Sequence, residues 1–146
     1  MRVLLDTCVL SEIRHPQGAE SVKNAVQSLA GKDLFISVIS IGEIVKGINC
    51  LNESKRKQEL QSWVQGLERF YSERILPLDL KASQIWGELT ARMQKEGKVI
   101  PACDGLIAST AIRHGLHVMT RNTSDFELTG AMIVNPWQNG NNLNVH

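Results

Sequence analysis

Short apolar runs alternate along the chain with longer stretches in which apolar residues recur every three or four positions. The short runs predict β-strands, and the longer stretches predict amphipathic helices. Strands are expected at residues 3–5, 34–38, 75–78, 117–120 and 132–134. Helices are expected through Leu10 and Ile13, over residues 21–29, 40–48 and 54–69, between an N-cap at Asp79 and Gly97, and over residues 106–112 before Gly115.

This alternation is typical of an α/β protein, here a three-layer α/β/α sandwich with a mainly parallel central sheet of about five strands. The chain has 146 residues, a length typical of one domain. We assign the domain to residues 1–137, and residues 138–146 form a polar C-terminal tail. In such sheets, ligands bind beyond the carboxyl ends of the strands, so candidate chemistry is sought there.

Composition narrows the class of protein. No apolar run approaches the roughly 18 residues of a spanning helix, and Asp6 interrupts the first apolar run too early for a signal peptide. We therefore expect a cytoplasmic protein without a membrane partner. The formal net charge is only +1, which gives the whole molecule no strong electrostatic signature. The three cysteines form no CxxC pair, so neither a disulfide framework nor a zinc site is expected.

Four acidic residues lie at predicted strand ends or in the first turn of the next helix: Asp6, Glu43, Asp104 and Asp125. Each has a structural explanation. Asp6 and Asp104 can cap helices, Glu43 can complete a capping box with Ser40, and Asp125 can shape a turn. Taken singly, each acid is better explained by structure than by chemistry.

Together the four acids indicate a binding site. In a parallel sheet they would face one crevice, and two like charges about 4 Å apart repel by about 4 kcal/mol at an effective dielectric constant of about 20. Such a cluster either remains protonated or binds a cation. Oxygen ligands without thiolate or imidazole suit Mg²⁺ or Mn²⁺, and a carboxylate-held Mg²⁺ suits phosphate-ester chemistry.

Five stretches in this order resemble a PIN-domain ribonuclease, specifically the toxin of a VapBC or FitAB-type toxin–antitoxin pair. The resemblance covers Val3 to Trp137 and lies in "LLDTCVLSEI", "SVISIGEIVKGI", "CDGLIASTAI", "VMTRNTSDF" and "NPW". It implies that the four acids hold Mg²⁺ or Mn²⁺ and activate water to cleave RNA. The expected direct ligands are Asp6 and Asp104, with Asp125 direct or water-mediated and Glu43 a ligand or water-orienting base.

Other implied features are less specific. Thr120 matches a hydroxyl residue that the family often has beside the acidic cluster. Asn122 matches a position that often helps to shape the same pocket. For both residues, a structural role at the exit from the strand is as consistent with the sequence as a direct role in the site. The resemblance further implies a homodimer and a cognate antitoxin that covers the pocket. Trp63 and Leu67 could line the antitoxin groove or belong to the core. Candidate contacts for RNA phosphates are Arg121, Lys46 and Arg14.

The sequence departs from the family where Cys8 replaces the usual Asn of "DTN". A thiol orients a neighbouring carboxylate less well than an amide does. One alternative function is therefore a catalytically silent PIN fold that only binds RNA or a partner. Two further alternatives are a phosphoryl-transfer enzyme of the haloacid-dehalogenase kind, which would need a second Asp in place of Cys8, and a receiver-type signalling domain, which would need a lysine near the acids.

Overall fold

A computed structural model describes residues 1–138 of the protein. Apart from Gln138, the predicted C-terminal tail lies outside these residues. The strands are β1 (Val3–Leu5), β2 (Leu34–Ser37), β3 (Ile75–Leu76), β4 (His117–Met119) and β5 (Ile133–Val134). The α-helices are α1 (Thr7–Arg14), α2 (Glu20–Gln27), α3 (Val38–Asn49), α4 (Lys55–Phe70), α5 (Leu80–Lys95), α6 (Ala102–His114) and α7 (Thr123–Glu127). None of the described helices is long and apolar enough to cross a lipid bilayer.

The strands form one five-stranded parallel sheet in the order β3-β2-β1-β4-β5. Strand β1 is central, and Val3 pairs with Leu34 on one side and His117 on the other. The strand order reverses direction at β1: β2 and β3 lie on one side of β1, and β4 and β5, which follow in sequence, lie on its other side. Parallel sheets with this kind of reversal bind ligands at the carboxyl end of the switch point.

Helices cover both faces of the sheet, which confirms the predicted α/β/α sandwich. Val3 and Leu5 point into a core shared with α1 to α4, whereas Leu4 points into a second core with α6 and α7. All three residues of β1 are fully buried. This two-sided burial explains why the parallel strands appear in the sequence as continuous apolar runs rather than as alternating patterns.

Helix α3 begins earlier than the sequence suggested. Strand β2 ends at Ser37, whose Oγ accepts a hydrogen bond of 3.0 Å from the Ile39 amide and so caps the helix. The capping box proposed for Ser40 and Glu43 is wrong, because Ser40 lies inside the helix and is fully buried. Glu43 is consequently the sixth residue of α3, in its second turn, and its side chain is free of any capping role.

Helix α6 also begins earlier, at Ala102 rather than residue 106. The N-cap residue is Pro101, which has no side-chain hydrogen bond to the first turn. The proposed N-cap role of Asp104 is therefore wrong. Asp104 is instead the third residue of the helix. Its neighbour Gly105 permits close packing, since a Cβ there would stand 3.2 Å from the Ile100 Cδ1 and 3.4 Å from the Trp86 indole.

Candidate active site

Asp6 follows β1 at the centre of the sheet and is buried, with 7% of its surface exposed. Its Oδ1 accepts a 2.8 Å hydrogen bond from the Thr7 amide, and this bond caps α1. Its Oδ2 accepts a 2.8 Å hydrogen bond from the Thr120 hydroxyl at the end of β4. Both oxygens of the carboxylate are therefore held by hydrogen bonds.

Glu43 reaches the same region from α3. Its Oε1 accepts a 3.0 Å hydrogen bond from the hydroxyl of Thr7, the residue that follows Asp6. Thr7 thus links the first two acids, with its amide on Asp6 and its hydroxyl on Glu43. The Thr7 link was missed from the sequence, where the only signal was its place directly after the first strand-end acid.

Asp104 and Asp125 are joined by one amide group. The Asn122 Nδ2 donates to the Asp104 Oδ2 at 2.8 Å and to the Asp125 Oδ2 at 3.0 Å. Both amide hydrogens of Asn122 are used in this way. Asp125 is the third residue of the short helix α7, which the sequence did not predict, since residues around it appeared to be a turn.

The segment after β4 connects these pairs. The Asn122 backbone amide donates to the Thr120 Oγ1 at 2.9 Å, and this same hydroxyl donates to Asp6. Thr120 is fully buried. A continuous set of hydrogen bonds therefore runs from Asp6 through Thr120 and Asn122 to Asp104 and Asp125.

An open cavity of about 450 Å³ lies at this edge of the sheet. Three of the four predicted acids line it, together with Thr7, Cys8, Arg121 and Asn122; the three are Asp6, Glu43 and Asp104. Asp125 is not among the lining residues but accepts a hydrogen bond from Asn122, which is one of them. Thr120 does not line the cavity either, because it is fully buried. The structure thus brings all four acids to one locality but exposes three of them to the cavity.

The acids influence one another electrostatically. The pKa of Asp104 is raised to about 6, mainly by burial and then by the charges of Asp6, Asp125 and Glu43, against the lowering effect of the Asn122 hydrogen bond. Mutual repulsion of this kind is expected when carboxylates share a site. Titratable groups with such displaced pKa values are concentrated at functional sites.

Cys8 lies within the same network. Its Sγ is 3.5 Å from the Asp6 Oδ2, to which it donates, and 3.7 Å from the Thr120 Oγ1. Burial raises the pKa of the Cys8 thiol, and the adjacent Asp6 charge raises it further. Cys8 is therefore a neutral thiol that supports Asp6 with a weak hydrogen bond, rather than a nucleophilic thiolate.

The donor chemistry of the cavity fits a hard divalent cation. Carboxylate oxygens face it from three elements, and Asp104 is destabilised by the charges that such a cation would balance. Within residues 1–138, no three His, Cys, Asp or Glu side chains already stand close enough to hold an ion. Side-chain movements would be required to bind an ion, because Asn122 bridges Asp104 and Asp125.

Comparison with known proteins identifies the family of this chain. Residues 3–131 match the PIN domain family. The chain belongs to the PIN domain family. This membership excludes the haloacid-dehalogenase and receiver alternatives, which are different folds.

Relatives of this PIN domain are similar over nearly their whole length. The VapC ribonuclease Y4jK of Sinorhizobium fredii is 36% identical over 137 residues, which cover 93% of this chain and 98% of that protein. The toxin FitB of Neisseria gonorrhoeae is 36% identical over 136 residues, 92% of this chain and 98% of FitB.

Solved structures support the same assignment. The crystal structure of FitAcB from N. gonorrhoeae contains a chain with a TM-score of 0.87 and 36% identity, covering 94% of the PIN-domain chain described here and 99% of the other. The structure of FitAB bound to an IR36 DNA fragment gives a TM-score of 0.86 and 35% identity, covering 94% and 96% respectively.

Proposed function

We propose that this chain is a Mg²⁺- or Mn²⁺-dependent endoribonuclease and the toxin component of a type II toxin–antitoxin system. The observation that carries the proposal is the convergence of four acids, one directly after β1 and the others in α3, α6 and α7, at the carboxyl end of the sheet. Relatives named VapC ribonuclease and FitB toxin, with 36% identity over nearly the full chain, support the RNA substrate and the toxin role.

Each acid has a role in the proposed reaction. Asp6 and Asp104 would be the principal ligands, because both residues line the cavity and come from different elements. Glu43 of α3 also lines the cavity and would be a ligand or orient the attacking water. Asp125 would act through water, since Asn122 lies between it and Asp104. A divalent cation, when bound, supplies activated water and offsets negative charge on the phosphodiester.

Thr120 would be a positioning residue. It lies buried beneath Asp6 and does not line the cavity, so it has no direct access to RNA. Its hydroxyl fixes the Asp6 Oδ2 at 2.8 Å, and Asn122 in turn fixes the hydroxyl. Orientation of a carboxylate by a second hydrogen-bonding group is a general feature of metal sites.

A groove next to the acidic cavity would accept the cognate antitoxin. It has a volume of about 380 Å³ and shares Thr7 and Glu43 with the cavity. Trp63 and Leu60 of α4 and Ile48 of α3 give it an apolar lining. Leu67 does not line the groove and packs in the core. A chain in this groove would reach the acids, consistent with relatives solved as toxin–antitoxin complexes. We also expect the homodimer that the family resemblance implies.

The competing function is a silent PIN fold that binds RNA or a partner without cleaving it. Cys8 favours this alternative, because its thiol gives Asp6 only a 3.5 Å hydrogen bond. The Thr120 hydroxyl favours an active enzyme, however, because it donates a shorter hydrogen bond of 2.8 Å to the same Asp6 oxygen. The two functions differ in one observable, namely RNA cleavage in the presence of a divalent cation.

The deciding experiment measures cleavage of labelled RNA by purified protein with Mg²⁺ or with EDTA. We expect cleavage only with Mg²⁺, products with 5′-phosphate and 3′-hydroxyl ends, and loss of activity in Asp104→Asn. Asp79→Asn is the matched control, because Asp79 caps α5 away from the cavity. Cleavage that persists in Asp104→Asn contradicts the proposal, whereas RNA binding without cleavage by the wild type establishes the silent alternative.

The same pair of proteins can be compared in cells. Induction of the wild type should arrest growth, and induction of Asp104→Asn at equal protein levels should not. Equal growth arrest by both proteins would count against metal-dependent cleavage as the cause.

A further inference from the structure

This inference deepens the proposed function and depends on it, because it concerns how the acidic cavity accepts an anionic substrate. Three carboxylates line the cavity, and they repel the phosphates of RNA. Among the seven lining residues, Arg121 is the basic one. Its position between two residues of the acid network, Thr120 and Asn122, makes it the natural place to look for a contact with substrate.

The backbone at Arg121 is fixed on both sides. Thr120 is fully buried and donates to Asp6, and Asn122 donates to Asp104 and Asp125. The guanidinium therefore projects from a segment whose placement is tied to the acids themselves.

The Arg121 side chain stacks on an indole instead of pairing with an acid. Its guanidinium carbon lies 5.4 Å from the centroid of the Trp137 ring. Within residues 1–138, the ion pairs are Lys57–Glu53, Lys98–Glu96 and Arg113–Asp79, so Arg121 has no carboxylate within 4.0 Å among the described residues. A cation–π contact orients the guanidinium but leaves its N–H donors available.

We infer that Arg121, held on Trp137, binds a backbone phosphate of single-stranded RNA next to the phosphodiester at the acids. A planar guanidinium matches two phosphate oxygens, and contacts of this kind position nucleic acid without reading its sequence. An unpaired strand can follow an open cavity lined by a stacked arginine, as single-strand binding surfaces do. Arg121 thus compensates locally for the negative charge that the acids create.

The other two predicted phosphate contacts are placed differently. Arg14 stacks on Trp63, 5.5 Å from the ring centroid, but it lines the neighbouring groove rather than the acidic cavity. Lys46 does not line the cavity either. Arg121 is therefore the residue whose removal should affect RNA at the acids most directly.

The test measures the affinity for a fluorescein-labelled single-stranded RNA 12-mer by anisotropy over a range of salt concentrations. Ca²⁺ replaces Mg²⁺, and a denaturing gel checks that the RNA stays intact. Arg121→Gln should weaken binding about tenfold, the loss expected for a hydrogen bond to a charged group. The slope of log K against log[salt] should fall in magnitude by about 0.7, the value for one phosphate contact on a single strand.

Three further variants separate charge, stacking and general effects. Arg121→Lys should retain the salt slope with intermediate affinity, because it keeps the charge but loses the planar fork. Trp137→Leu should weaken binding and leave the slope unchanged, since Arg121 keeps its charge. Arg69→Gln is the matched control, because it removes the same charge from the exposed last turn of α4. This turn lies near the amino end of β3, whereas the cavity lies at the carboxyl end of the sheet. Arg69→Gln should therefore bind RNA like the wild type.

An Arg121→Gln protein that binds the RNA with wild-type affinity and slope overturns the inference. An equal loss in Arg69→Gln also overturns it, because the effect would then be one of net charge. Either result leaves the proposed function intact if the wild type still cleaves RNA with Mg²⁺, so the two failures are distinguishable.

Discussion

Asp6 performs a structural role and a site role at once, on different oxygens. Its Oδ1 caps α1, while its Oδ2 accepts a hydrogen bond from Thr120, and the residue lines the cavity with Glu43 and Asp104. The sequence left open whether Asp6 caps a helix or belongs to a cation site. The structure shows that one role does not prevent the other, because they use different oxygens. For Asp104 and Glu43 the structure removes the capping explanation, and their place in the cavity needs another reason.

Asp104 should make the metal-free protein less stable as the pH rises. Its pKa is about 6 in the folded chain, against 3.8 for an ordinary Asp, mainly because of burial. Between these values the folded state binds more protons than the unfolded state, so the free energy of unfolding falls as pH increases through the window. Partial exposure of the side chain moderates the size of the effect.

Asp104→Asn should accordingly melt at a higher temperature than the wild type at pH 8 in EDTA, and at about the same temperature near pH 4. Addition of Mn²⁺ at pH 8 should raise the melting temperature of the wild type more than that of the variant. A lower melting temperature for Asp104→Asn at pH 8 in EDTA would show that the carboxylate is not electrostatically strained.

Thr120 offers a second test at the level of one residue. Thr120→Val removes the 2.8 Å hydrogen bond to Asp6 and leaves only the weak Cys8 contact on that oxygen. Loss of a bond to a charged group is worth about 1.5–3 kcal/mol, so cleavage should slow by about tenfold or more. Thr120→Ser keeps the hydroxyl and should retain most activity. Equal cleavage rates for Thr120→Val and Thr120→Ser would show that the Thr120 hydroxyl does not position Asp6 for catalysis.

At the scale of elements, the start of α3 sets the position of Glu43. The sequence analysis proposed Ser40 as the cap, but in the structure the N-cap is Ser37, whose Oγ accepts a hydrogen bond from the Ile39 amide. Ser40 is fully buried, and its hydroxyl has no hydrogen-bond partner within the described part of the chain. An unpaired buried hydroxyl is unfavourable.

These two serines should respond in opposite ways to alanine. Ser37→Ala should lower the free energy of unfolding by about 1 kcal/mol, the usual cost of losing an N-cap. Ser40→Ala should leave it unchanged or raise it. Urea denaturation of both variants measures this difference. A larger decrease in the free energy of unfolding for Ser40→Ala than for Ser37→Ala would indicate that Ser40 caps the helix, in contradiction to the structure.

The sequence predicts the middle of most elements well and their ends less well. Burial of both faces of a parallel strand produces strong apolar runs, so β1, β2 and β4 are found near their observed places. The start of α6 was missed by four residues, because Pro101 supplies no side-chain cap as a signal. Helix α7 is five residues long, too short for a helical period to be recognised.

At the scale of the whole molecule, the reversal of strand order at β1 brings distant acids together. Asp6 and Asp104 are 98 positions apart in sequence, yet the charge of one raises the pKa of the other. The order of the acids at strand ends was enough to predict this convergence. The sequence could not predict that Asn122 bridges two of them or that Asp125 does not line the cavity, because these depend on side-chain packing between α6 and α7.

The central claim, that these acids form one divalent-cation site, is tested most directly by calorimetric titration of Mn²⁺ into EDTA-treated protein at pH 8. We predict saturable binding to the wild type and to the Asp79→Asn control, and at least tenfold weaker binding to Asp104→Asn. Absence of binding to the wild type, or equal binding to the wild type and Asp104→Asn, would contradict the account.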